Sequence, residues 1–497
     1  MTVPTTRAVV LAAGKSSRFK TKKSKLLFNM CGQAMVLYPL RALEALDIPM
    51  TVILGHQAET VQEEIVRAGI KDASFVEQKE QLGTGHAVWC SKDTWDADNI
   101  LILYGDMPLM TTAVLKQLMD EHAAADAAIT FCTSYVLDPF GYGRVIEKDG
   151  NFEIVEEKDC TDEQRLINRI NAGVYMMKRS FLQAYITKLG KSSVTGEMYL
   201  PELVAMACKD SLGVKSLSVP YDNVRGVNTL QELWGVEQIK RSELIKYWMA
   251  RGVRFELAQS IHIDLNVHIG AGSFIGTGVH LLGNTVIGEE CFVGAFTIIE
   301  DSVIGDSTTV HSHSVLQQTV LGTNVHVGPF ARLRQNVTIG NDVQIGNFVE
   351  VKTAEIGNGT KMKHLSYIGD AKIGAEVNIG AGTITCNYDG LKKNTTVVED
   401  GAFVGSNNTL IAPVVVGKDA YTAAGSVVNI DVPAEALAIG RTRQENKPGY
   451  AKKLREEVRR QAGQGHIEKM DDILHDNEPI QFRGAVKMDG EQKIGFE

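Results

Sequence analysis

The sequence lacks the features of secreted and membrane proteins. Its seven cysteines are an odd number and include no CxxC pair, so we interpret them as free and mostly buried thiols in a reducing compartment. No apolar run approaches the roughly 20 residues of a membrane-spanning helix, and Ala8–Ala13 is too short for a secretion signal. We therefore expect a cytoplasmic protein without a membrane span.

Aromatic residues and positive charge are also scarce. Phe, Trp and Tyr make up 7% of the chain, and 51 Lys and Arg stand against 60 Asp and Glu, a formal net charge of -9. A nucleic-acid-binding surface is usually basic, so we expect no nucleic-acid partner. Phosphate ligands remain compatible with this charge because local clusters bind them. The length of 497 residues favours two or three domains.

Residues 1–228 alternate short apolar runs with helical stretches. The runs predicted to be buried parallel strands are Ala8–Ala13, Met50–Leu54, Ile100–Tyr104 and Ala128–Thr133. Helices are predicted between them, as at Met35–Leu46 and Thr112–Ala125. This alternation indicates an α/β domain with a Rossmann-like, mixed sheet, whose ligands bind beyond the carboxyl ends of the strands. The loops Gly14–Lys25 and Gly105–Pro108 are therefore predicted to form a site.

Residues 253–444 repeat an aliphatic residue followed by glycine, mostly 6 or 12 residues apart. Typical repeats are Ile269-Gly270, Ile275-Gly276, Ile287-Gly288, Ile339-Gly340 and Ile345-Gly346. A hexapeptide period is the signature of a parallel β-helix, in which each aliphatic side chain points inward and stacks on its copy in the next coil. We predict such a domain here.

Two segments belong to neither pattern. Residues 229–252 carry apolar side chains in a helical rhythm, and we predict a linker helix. Residues 445–497 are polar and mixed in charge, and we predict a tail with a short helix near Tyr450–Gln461.

The loop after the first strand suits a triphosphate. Gly14 and the small residues that follow it let backbone N–H groups approach phosphate oxygens. Arg18 and Lys25 would neutralise charge in the transition state. Taken alone, however, Gly14 is as readily a tight-turn former and Asp106 as readily a turn carboxylate.

The loop resembles the LxxGxGTxM…PK signature of sugar-nucleotide pyrophosphorylases, with Ser16-Ser17-Arg18-Phe19 and Ser24 as departures. The same family is matched, in order, by Gln78, Gln81–Ala87, Tyr104–Leu109, Gly141–Arg144, Glu156–Lys158, Asn171–Val174 and Gly226–Asn228. The resemblance implies nucleotide contacts from Leu11, Gly14, Gln78, Gly83 and Thr84. It implies sugar contacts from Gly143, Glu156 and Asn171, catalytic roles for Lys25 and Arg18, and Mg²⁺ ligands in Asp106 and Asn228.

Polar and aromatic residues interrupt the second half of the β-helix pattern. They are Arg334, Lys352, His364, Tyr367, Asn378 and the loop Thr385–Gly390. A lone histidine on a β-helix is more often a solvated or packing residue, so His364 needs its context. A zinc site like that of γ-carbonic anhydrases is an unfavoured alternative, because no motif surrounds His311 and His313.

The context resembles the acetyltransferase half of the bifunctional N-acetylglucosamine-1-phosphate uridyltransferase / glucosamine-1-phosphate acetyltransferase family. The matching segments are Gly328–Arg334, Gly346–Lys352, His364–Asp370 and Asn378–Gly390. The resemblance implies His364 as the general base, Arg334 and Lys352 on the sugar phosphate, and Tyr367, Asn378, Asn387 and Tyr388 around the sugar and acetyl group. It places Ala381, Ser406, Ala424 and Arg441 on coenzyme A.

The family implies a left-handed β-helix, a homotrimer with the acetyl site between subunits, and small-molecule substrates. Acetyl-CoA would acetylate glucosamine 1-phosphate, and Mg²⁺-dependent uridyl transfer from UTP would follow, feeding peptidoglycan and lipopolysaccharide precursors. The alternatives are a nucleotidyltransferase with a silent β-helix, or a non-enzymatic binding scaffold. Glucose 1-phosphate and glucosamine 1-phosphate stay open as alternative sugars for uridyl transfer.

Overall fold

The computed structural model describes residues 4–462. Residues up to Gly440 form one compact unit and residues from Arg441 form a second. The domain limits predicted at residues 228, 252 and 444 stay predictions, and most of the predicted tail, residues 463–497, lies outside the described part of the chain. Within residues 4–462, no helix has both the length and the apolar character needed to cross a membrane.

The first unit begins with an α/β part. Its strands are β1 (Thr6–Ala12), β2 (Asn29–Met30), β3 (Gln33–Ala34), β4 (Met50–Leu54), β5 (Ala73–Glu77), β6 (Asn99–Tyr104), β7 (Ile129–Tyr135), β8 (Arg144–Lys148), β9 (Asn151–Val155), β10 (Arg169–Lys178) and β11 (Val214–Ser218). Its α-helices are α1 (Leu37–Glu44), α2 (Ala58–Arg67), α3 (Thr84–Cys90), α4 (Thr112–Ala125), α5 (Asp162–Arg165), α6 (Arg179–Tyr185), α7 (Glu202–Lys209) and α8 (Tyr221–Val224).

The main sheet has the order β11-β7-β10-β6-β1-β4-β5, with the β8-β9 hairpin attached to β10. β1 runs parallel to β4 and β6, whereas β10 runs antiparallel to β6 and β7. The predicted mixed, Rossmann-like sheet is therefore confirmed. The four predicted strands correspond to β1, β4, β6 and β7, and the two predicted helices correspond to α1 and α4.

The buried middle stretches of the central strands β1 and β6 are apolar because both faces of the sheet are covered. Along β1, Ala8 and Val10 belong to one hydrophobic cluster, while Val9 and Leu11 belong to the cluster on the other side. Successive side chains of a strand point to opposite faces, so a strand buried on both faces needs an unbroken apolar run. The register of Leu11 with Tyr104 brings the ends of β1 and β6 together.

Helix α9 (Leu230–Met249) follows the sheet and lies within the predicted linker. Its first half contributes Leu233 to a hydrophobic cluster of the α/β part, and its last turn contributes Trp248 to the core of the following β-helix. The turn between β2 and β3 also touches the β-helix, since the N–H of Leu265 donates to the carbonyl of Cys31 at 3.0 Å.

Short parallel strands then wind into a β-helix. One face contains Arg254–Phe255, Phe274–Ile275, Phe292–Val293, Thr309–Val310, His326–Val327, Gln344–Asn347, Lys361–His364, Asn378–Ile379, Phe403–Val404, Tyr421–Thr422 and Leu437–Ala438. The other faces contain His262–Ile263, His268–Ile269, His280–Leu282, Val286–Ile287, Ile298–Glu300, Val303–Ile304, Val315–Gln317, Thr319–Leu321, Arg332–Arg334, Val337–Ile339, Glu350–Ile356, Tyr367–Ile373, Ile384–Cys386, Thr396–Val398, Thr409–Ile411, Val414–Val416 and Val427–Val428.

Each coil of the β-helix corresponds to about three hexapeptides. Phe274 pairs with Phe292 on the next coil, and Phe292 pairs in turn with Thr309. The inward aliphatic residues form one continuous buried column, as predicted from the repeat. The coil that joins Asn378 to its partner Phe403 is longer than its neighbours. Its extra residues form a loop after Cys386, and this loop matters for the second site.

The second unit contains helix α10 (Tyr450–Ala462), which confirms the short helix predicted in the tail. The side chains described for this helix are exposed, including those of Tyr450, Leu454 and Val458.

Candidate active sites

A cavity of about 300 Å³ lies where β1 and β6 end. The predicted residues that line it are Leu11, Gly14, Lys25, Gln78, Gly83, Thr84 and Asp106. The structure thus brings the predicted nucleotide contacts together with one predicted metal ligand and the predicted catalytic lysine. This location is the edge at which an open α/β sheet binds ligands.

A second cavity of about 180 Å³ adjoins the first. The predicted residues that line it are Asp106, Gly143, Glu156, Asn171 and Asn228. Both cavities share Tyr104 and Asp106, so the predicted nucleotide and sugar contacts meet at the metal-ligand candidate. A reaction that joins a nucleotide to a sugar phosphate requires such a junction.

The Lys25 ammonium lies at this junction. It donates hydrogen bonds to Asp106 Oδ2 at 2.5 Å, to Asn228 Oδ1 at 2.9 Å and to the carbonyl of Val227 at 2.9 Å. The two predicted metal ligands therefore direct their oxygens at one small volume, which the lysine nitrogen fills. A carboxylate and an amide oxygen are hard ligands of the kind that Mg²⁺ prefers, so the residues fit the metal.

The start of helix α9 holds Asn228 in place. Thr229 and Glu232 form a capping box, and Glu232 Oε2 also accepts the N–H of Asn228 at 2.6 Å. The preceding residue, Val227, donates its N–H to the carbonyl of Asp106 at 3.0 Å. The capping box satisfies backbone donors at the helix start, and the same contacts fix the metal-ligand candidates relative to each other.

Gly83 begins α3 and brings its backbone close to Met198. Its φ is +106°, and a Cβ at this position would lie 2.6 Å from the carbonyl oxygen of Met198, so only glycine fits without strain. The carbonyl of Gly83 accepts a hydrogen bond from Gln78 Nε2 at 3.1 Å. Thr84 Oγ1 accepts the N–H of Leu200 at 3.0 Å. The nucleotide side of the site is thus held by contacts distant in sequence.

The sugar side is formed by β8, β9 and β10. Burial raises the pKa of Glu156 to about 6, with smaller contributions from the like charges of Asp159 and Glu197. Gly143 packs beside Ile154 and this carboxyl, since a Cβ there would lie 3.1 Å from Ile154 Cγ2 and 3.5 Å from Glu156 Oε1. Asn171 Nδ2 donates to the hydroxyl of Tyr175 at 2.6 Å, which orients the amide.

One predicted residue stays outside both cavities. Arg18 is exposed on the short 3₁₀ helix Ser17–Phe19 and lines neither of them. The structure brings only Lys25, of the two predicted catalytic cations, to the junction. The catalytic role of Arg18 stays a prediction.

The predicted phosphate-binding cations lie side by side on the β-helix. Arg334 and Lys352 pair in register on neighbouring coils. Glu350 holds the Arg334 guanidinium, with Nη2 and Nε at 2.7 and 2.8 Å from Oε1. Register between coils therefore places two cations on one face, although a full coil of the chain separates them in sequence.

The Tyr367 side chain lies over Gly369 of the same strand, which has no side chain to obstruct it. A Cβ at Gly369 would lie 2.5 Å from the Tyr367 hydroxyl and 2.8 Å from Asn387 Nδ2. Asn387 Nδ2 lies 3.5 Å from that hydroxyl and also donates to Asp370 Oδ2. Two of the predicted sugar contacts, Tyr367 and Asn387, are thus adjacent, and Gly369 is a residue that sequence reasoning missed.

The loop after Cys386 contributes a further cation, Lys393. Asp389 Oδ1 accepts the N–H groups of Leu391 and Lys392, and hydrogen bonds from this loop lower the pKa of Asp389 to about 2. The contact with Lys393, together with some burial, lowers the pKa of Lys352. Sequence reasoning missed Lys393; the only signal was a pair of lysines within a break of the hexapeptide repeat.

His364 heads a column of predicted cofactor contacts at one corner of the β-helix. Lys361 pairs with Asn378, Asn378 with Phe403 and Phe403 with Tyr421. These four residues are in register on successive coils. The residues three positions after them, His364, Ala381, Ser406 and Ala424, are therefore also aligned in a column. Coils are about 4.8 Å apart, so the column spans roughly 14 Å, suited to an extended ligand. His364 Nδ1 lies 3.3 Å from Asn347 Oδ1 on the preceding coil.

Three further predicted residues are Asn378, Tyr388 and Arg441. Asn378 begins the strand that pairs with Lys361–His364 on the next coil, and Tyr388 is exposed with its hydroxyl donating to the carbonyl of Gly390 at 2.7 Å. Arg441 belongs to the second unit, so its role in binding coenzyme A stays a prediction.

The histidines considered for zinc make other contacts. His311 stacks on His326, whereas His313 stacks between Phe296 and Phe330. Over residues 4–462, the structure has no group of three or more His, Cys, Asp or Glu side chains arranged to hold a metal ion.

Known families match both halves of the chain. Residues 8–146 match the MobA-like NTP transferase domain, and residues 247–351 match the EIF2B subunit epsilon LbH domain, a left-handed β-helix. The predicted fold class, including the handedness, is thereby confirmed. A putative glucose-1-phosphate thymidylyltransferase of known structure from Bacillus anthracis is 19% identical and covers 48% of this chain and 95% of its own length, with a TM-score of 0.39, too low to argue from.

Whole-length relatives decide the family. The bifunctional protein GlmU of Trichlorobacter lovleyi is 42% identical over 456 residues, covering 90% of this chain and 98% of the relative. The chain belongs to the GlmU family of bifunctional proteins. The GlmU of Thermotoga petrophila is 40% identical over 452 residues, covering 91% of this chain and 100% of the relative. The family predicted from the sequence motifs is confirmed.

Proposed function

We propose that this GlmU-family chain makes UDP-N-acetylglucosamine, a precursor of peptidoglycan and lipopolysaccharide, in two successive reactions. Acetyl-CoA first acetylates glucosamine 1-phosphate, and UTP then transfers its uridyl group to the product. The observation that carries the uridyl step is the convergence of Lys25, Asp106 and Asn228 where the nucleotide and sugar cavities meet. We further propose that the site residues predicted from the sequence have the roles given in the next two paragraphs.

In the uridyl step, a phosphate oxygen of N-acetylglucosamine 1-phosphate attacks the α-phosphorus of UTP. The new O–P bond forms as the bond to the bridging oxygen breaks, and pyrophosphate leaves. Gln78 and Gly83 orient the base, while Lys25 offsets negative charge at the reacting phosphates. Asp106 and Asn228 would hold Mg²⁺, which supplies positive charge to the same phosphates when it is bound.

In the acetyl step, the amine of glucosamine 1-phosphate attacks the thioester carbonyl of acetyl-CoA. The amide bond forms, the C–S bond breaks and free coenzyme A leaves as the thiol. His364 accepts the amine proton and returns it to the departing sulfur, and its contact with Asn347 Oδ1 orients the imidazole. Arg334, Lys352 and Lys393 would bind the sugar phosphate, which is the anion that such a group of cations favours.

We also propose that the chain is a homotrimer in the cytoplasm. Beside the His364 column runs a column of half-exposed aromatic side chains with stacked rings, namely Phe296, His313, Phe330 and Phe348. An exposed apolar stripe of this kind favours contact with another copy of the chain. The seven free cysteines, most of them buried, support a reducing compartment.

One assay tests both reactions. Purified protein receives glucosamine 1-phosphate, acetyl-CoA, UTP and Mg²⁺, and free thiol and pyrophosphate are followed together. We expect release of both, with pyrophosphate dependent on acetyl-CoA, because the uridyl step requires the acetylated sugar.

The rival function is a nucleotidyltransferase with a silent β-helix. It would release pyrophosphate from a sugar 1-phosphate and UTP without any thiol, which would contradict the acetyl step. Pyrophosphate release from unacetylated glucosamine 1-phosphate would instead contradict the proposed sugar specificity. Absence of pyrophosphate when N-acetylglucosamine 1-phosphate, UTP and Mg²⁺ are supplied directly would contradict the uridyl step.

A further inference from the structure

Both hydrogens of the Gln78 side-chain amide are engaged within the protein. Nε2 lies 3.1 Å from the carbonyl oxygen of Gly83 and 3.1 Å from Nδ1 of His86. The side chain is 5% exposed, and it lines the nucleotide cavity. The amide is therefore oriented from two directions before any ligand arrives.

The two contacts determine which amide atom is which. A carbonyl oxygen can only accept a hydrogen bond, so the atom that faces Gly83 must be the nitrogen. The same nitrogen faces His86, whose Nδ1 must then accept and carry no proton. Gln78 Oε1 accepts no hydrogen bond from another residue of the range 4–462, which leaves it as the amide atom available to a ligand in the cavity.

An available oxygen distinguishes between pyrimidines. Uracil carries a hydrogen on N3 and donates, whereas N3 of cytosine carries a lone pair and accepts. Gln78 Oε1 therefore pairs with uracil N3–H and repels cytosine N3 at the same position. A site that hydrogen-bonds its ligand rejects an analogue with the wrong donor pattern because a buried polar group is left unpaired.

We propose that His86 is a positioning residue that makes the uridyl site selective for UTP over CTP by orienting Gln78. This inference rests on the proposed uridyl transfer. His86 lies in α3, which begins next to Gly83, and is not among the residues that line the cavity. Its effect on the base therefore passes through the Gln78 amide, and the reacting phosphates are not involved.

A second side chain beside His86, that of Cys90, provides a control. Cys90 lies one helical turn further along α3, with Sγ 3.9 Å from Nε2 and 4.0 Å from Nδ1. Changing Cys90 disturbs the packing of the imidazole without removing the acceptor that Gln78 uses. Asparagine at position 86 retains an acceptor, since its Oδ1 occupies the branch position of Nδ1.

The test compares His86→Ala, His86→Asn and Cys90→Ala with the unchanged full-length protein. The measured quantity is kcat/KM with UTP divided by kcat/KM with CTP, in pyrophosphate release with N-acetylglucosamine 1-phosphate. We expect His86→Ala to lower this ratio about 10-fold, the effect of one neutral hydrogen bond, through a higher KM for UTP and a kcat within about twofold. His86→Asn should restore most of the ratio, and Cys90→Ala should leave it unchanged.

Two results would overturn the inference. One is an unchanged ratio in His86→Ala with activity retained. The other is an equal fall of kcat with both nucleotides in His86→Ala and His86→Asn, which would show a general structural role. Failure of the proposed function is distinguishable, because the unchanged protein would then release no pyrophosphate from UTP.

Discussion

The Lys25 ammonium lies 2.5 Å from Asp106 Oδ2, in the volume toward which the two proposed Mg²⁺ ligands point. In the absence of substrate, the lysine would compete with Mg²⁺ for the same oxygens. When phosphates are bound, the ammonium would have a second set of anionic partners, and Asp106 and Asn228 would be free to hold the metal. Lys25 would thus keep the ligand-free site neutral and then act on the phosphates.

Removing this ammonium should strengthen metal binding. We expect Lys25→Met to bind Mn²⁺, a probe for Mg²⁺, about 10-fold more tightly in the ligand-free protein, because a competing charge is lost. Uridyl transfer should fall at least about 100-fold, the effect of removing a charge that stabilises the transition state. Isothermal titration with Mn²⁺ measures the first effect. The control is Lys23→Met in the same loop, and an unchanged Mn²⁺ affinity in Lys25→Met would contradict the competition.

Single substitutions should separate the two reactions. We expect Asp106→Ala to reduce pyrophosphate release by about 10³-fold or more while thiol release stays within about twofold, because only the uridyl site loses a metal ligand. His364→Ala should do the reverse, with a loss of about 10²–10⁴-fold in thiol release. Each variant is assayed for both products. Loss of both activities in a folded variant would refute two independent sites.

The loop lysine should affect the acetyl site through the sugar phosphate. We expect Lys393→Ala to raise the KM for glucosamine 1-phosphate about 10-fold and to change the KM for acetyl-CoA little, because one charge-assisted contact is lost. Lys392→Ala is the matched control, since it removes the same charge from the neighbouring position. Equal effects of the two substitutions would indicate a general field of the loop instead of a contact by Lys393.

Two carboxyls adjacent in sequence, Glu156 in the sugar cavity and Glu157 outside its lining, should have opposite effects on stability. The pKa of Glu156 is about 6 in the folded protein and 4.5 ordinarily, so the folded state binds this proton more tightly. The contribution of Glu156 to stability is therefore fully present below about pH 4.5 and is lost as pH rises through about 6. Glu156→Gln should increase the free energy of unfolding by about 1–2 kcal/mol at pH 7.5 and leave it nearly unchanged at pH 4, as measured by urea denaturation.

Glu157 provides the contrast. Burial alone would raise its pKa, but the hydrogen bonds from Arg144 and from the Gly141 N–H together lower it. Its ion pair with the buried Arg144 guanidinium measures 2.7 Å. We expect Glu157→Gln to destabilise the protein at pH 7.5, with the difference shrinking as pH falls below about 4.5. The same sign of change for both variants at pH 7.5 would contradict this account.

The aromatic column should hold the trimer together. We expect Phe330→Glu to convert a particle of about three times 54.3 kDa into monomers, because a charge replaces an apolar contact in the stripe. Acetyl transfer should be lost with the trimer, whereas uridyl transfer should remain. Light scattering gives the mass. Val320→Glu, on another face and 46% exposed, is the control; a Phe330→Glu trimer would locate the interface elsewhere.

Sequence patterns were sufficient to predict those elements whose residues follow a single local rule of burial. Runs such as Ile100–Tyr104 predict buried strands because a strand covered on both faces of its sheet has no solvated side. The aliphatic-glycine repeat predicts the β-helix column because an inward side chain recurs at every corner. The family motifs supplied Asp106 and Asn228 as a pair, although the two residues are far apart in the sequence.

Sequence reasoning missed Lys393 and Gly369 for a physical reason. Lys393 belongs to a loop that breaks the repeat, so no period indicates where the loop folds. Its bridge to Tyr388 and the hydrogen bonds on Asp389 hold the loop in the conformation in which Lys393 contacts Lys352. Gly369 matters through the side chain it lacks, since the hydroxyl of Tyr367 occupies the space of a Cβ. The position of Lys393 beside Lys352 and the space above Gly369 both arise only when the chain is folded.

The sequence by itself determined the two architectures, their order and the family, because periodicity and motifs are properties of neighbouring residues. Tertiary structure alone decided that Lys25 fills the space between the metal-ligand candidates, that Arg18 lies outside the cavities, and that His86 orients Gln78. These are contacts between side chains or between loops, and their geometry follows from how the strands and coils pack. Hydrogen bonds and ion pairs require their atoms to be placed within fractions of an ångström. Packing of the folded chain determines these positions, whereas local sequence patterns do not.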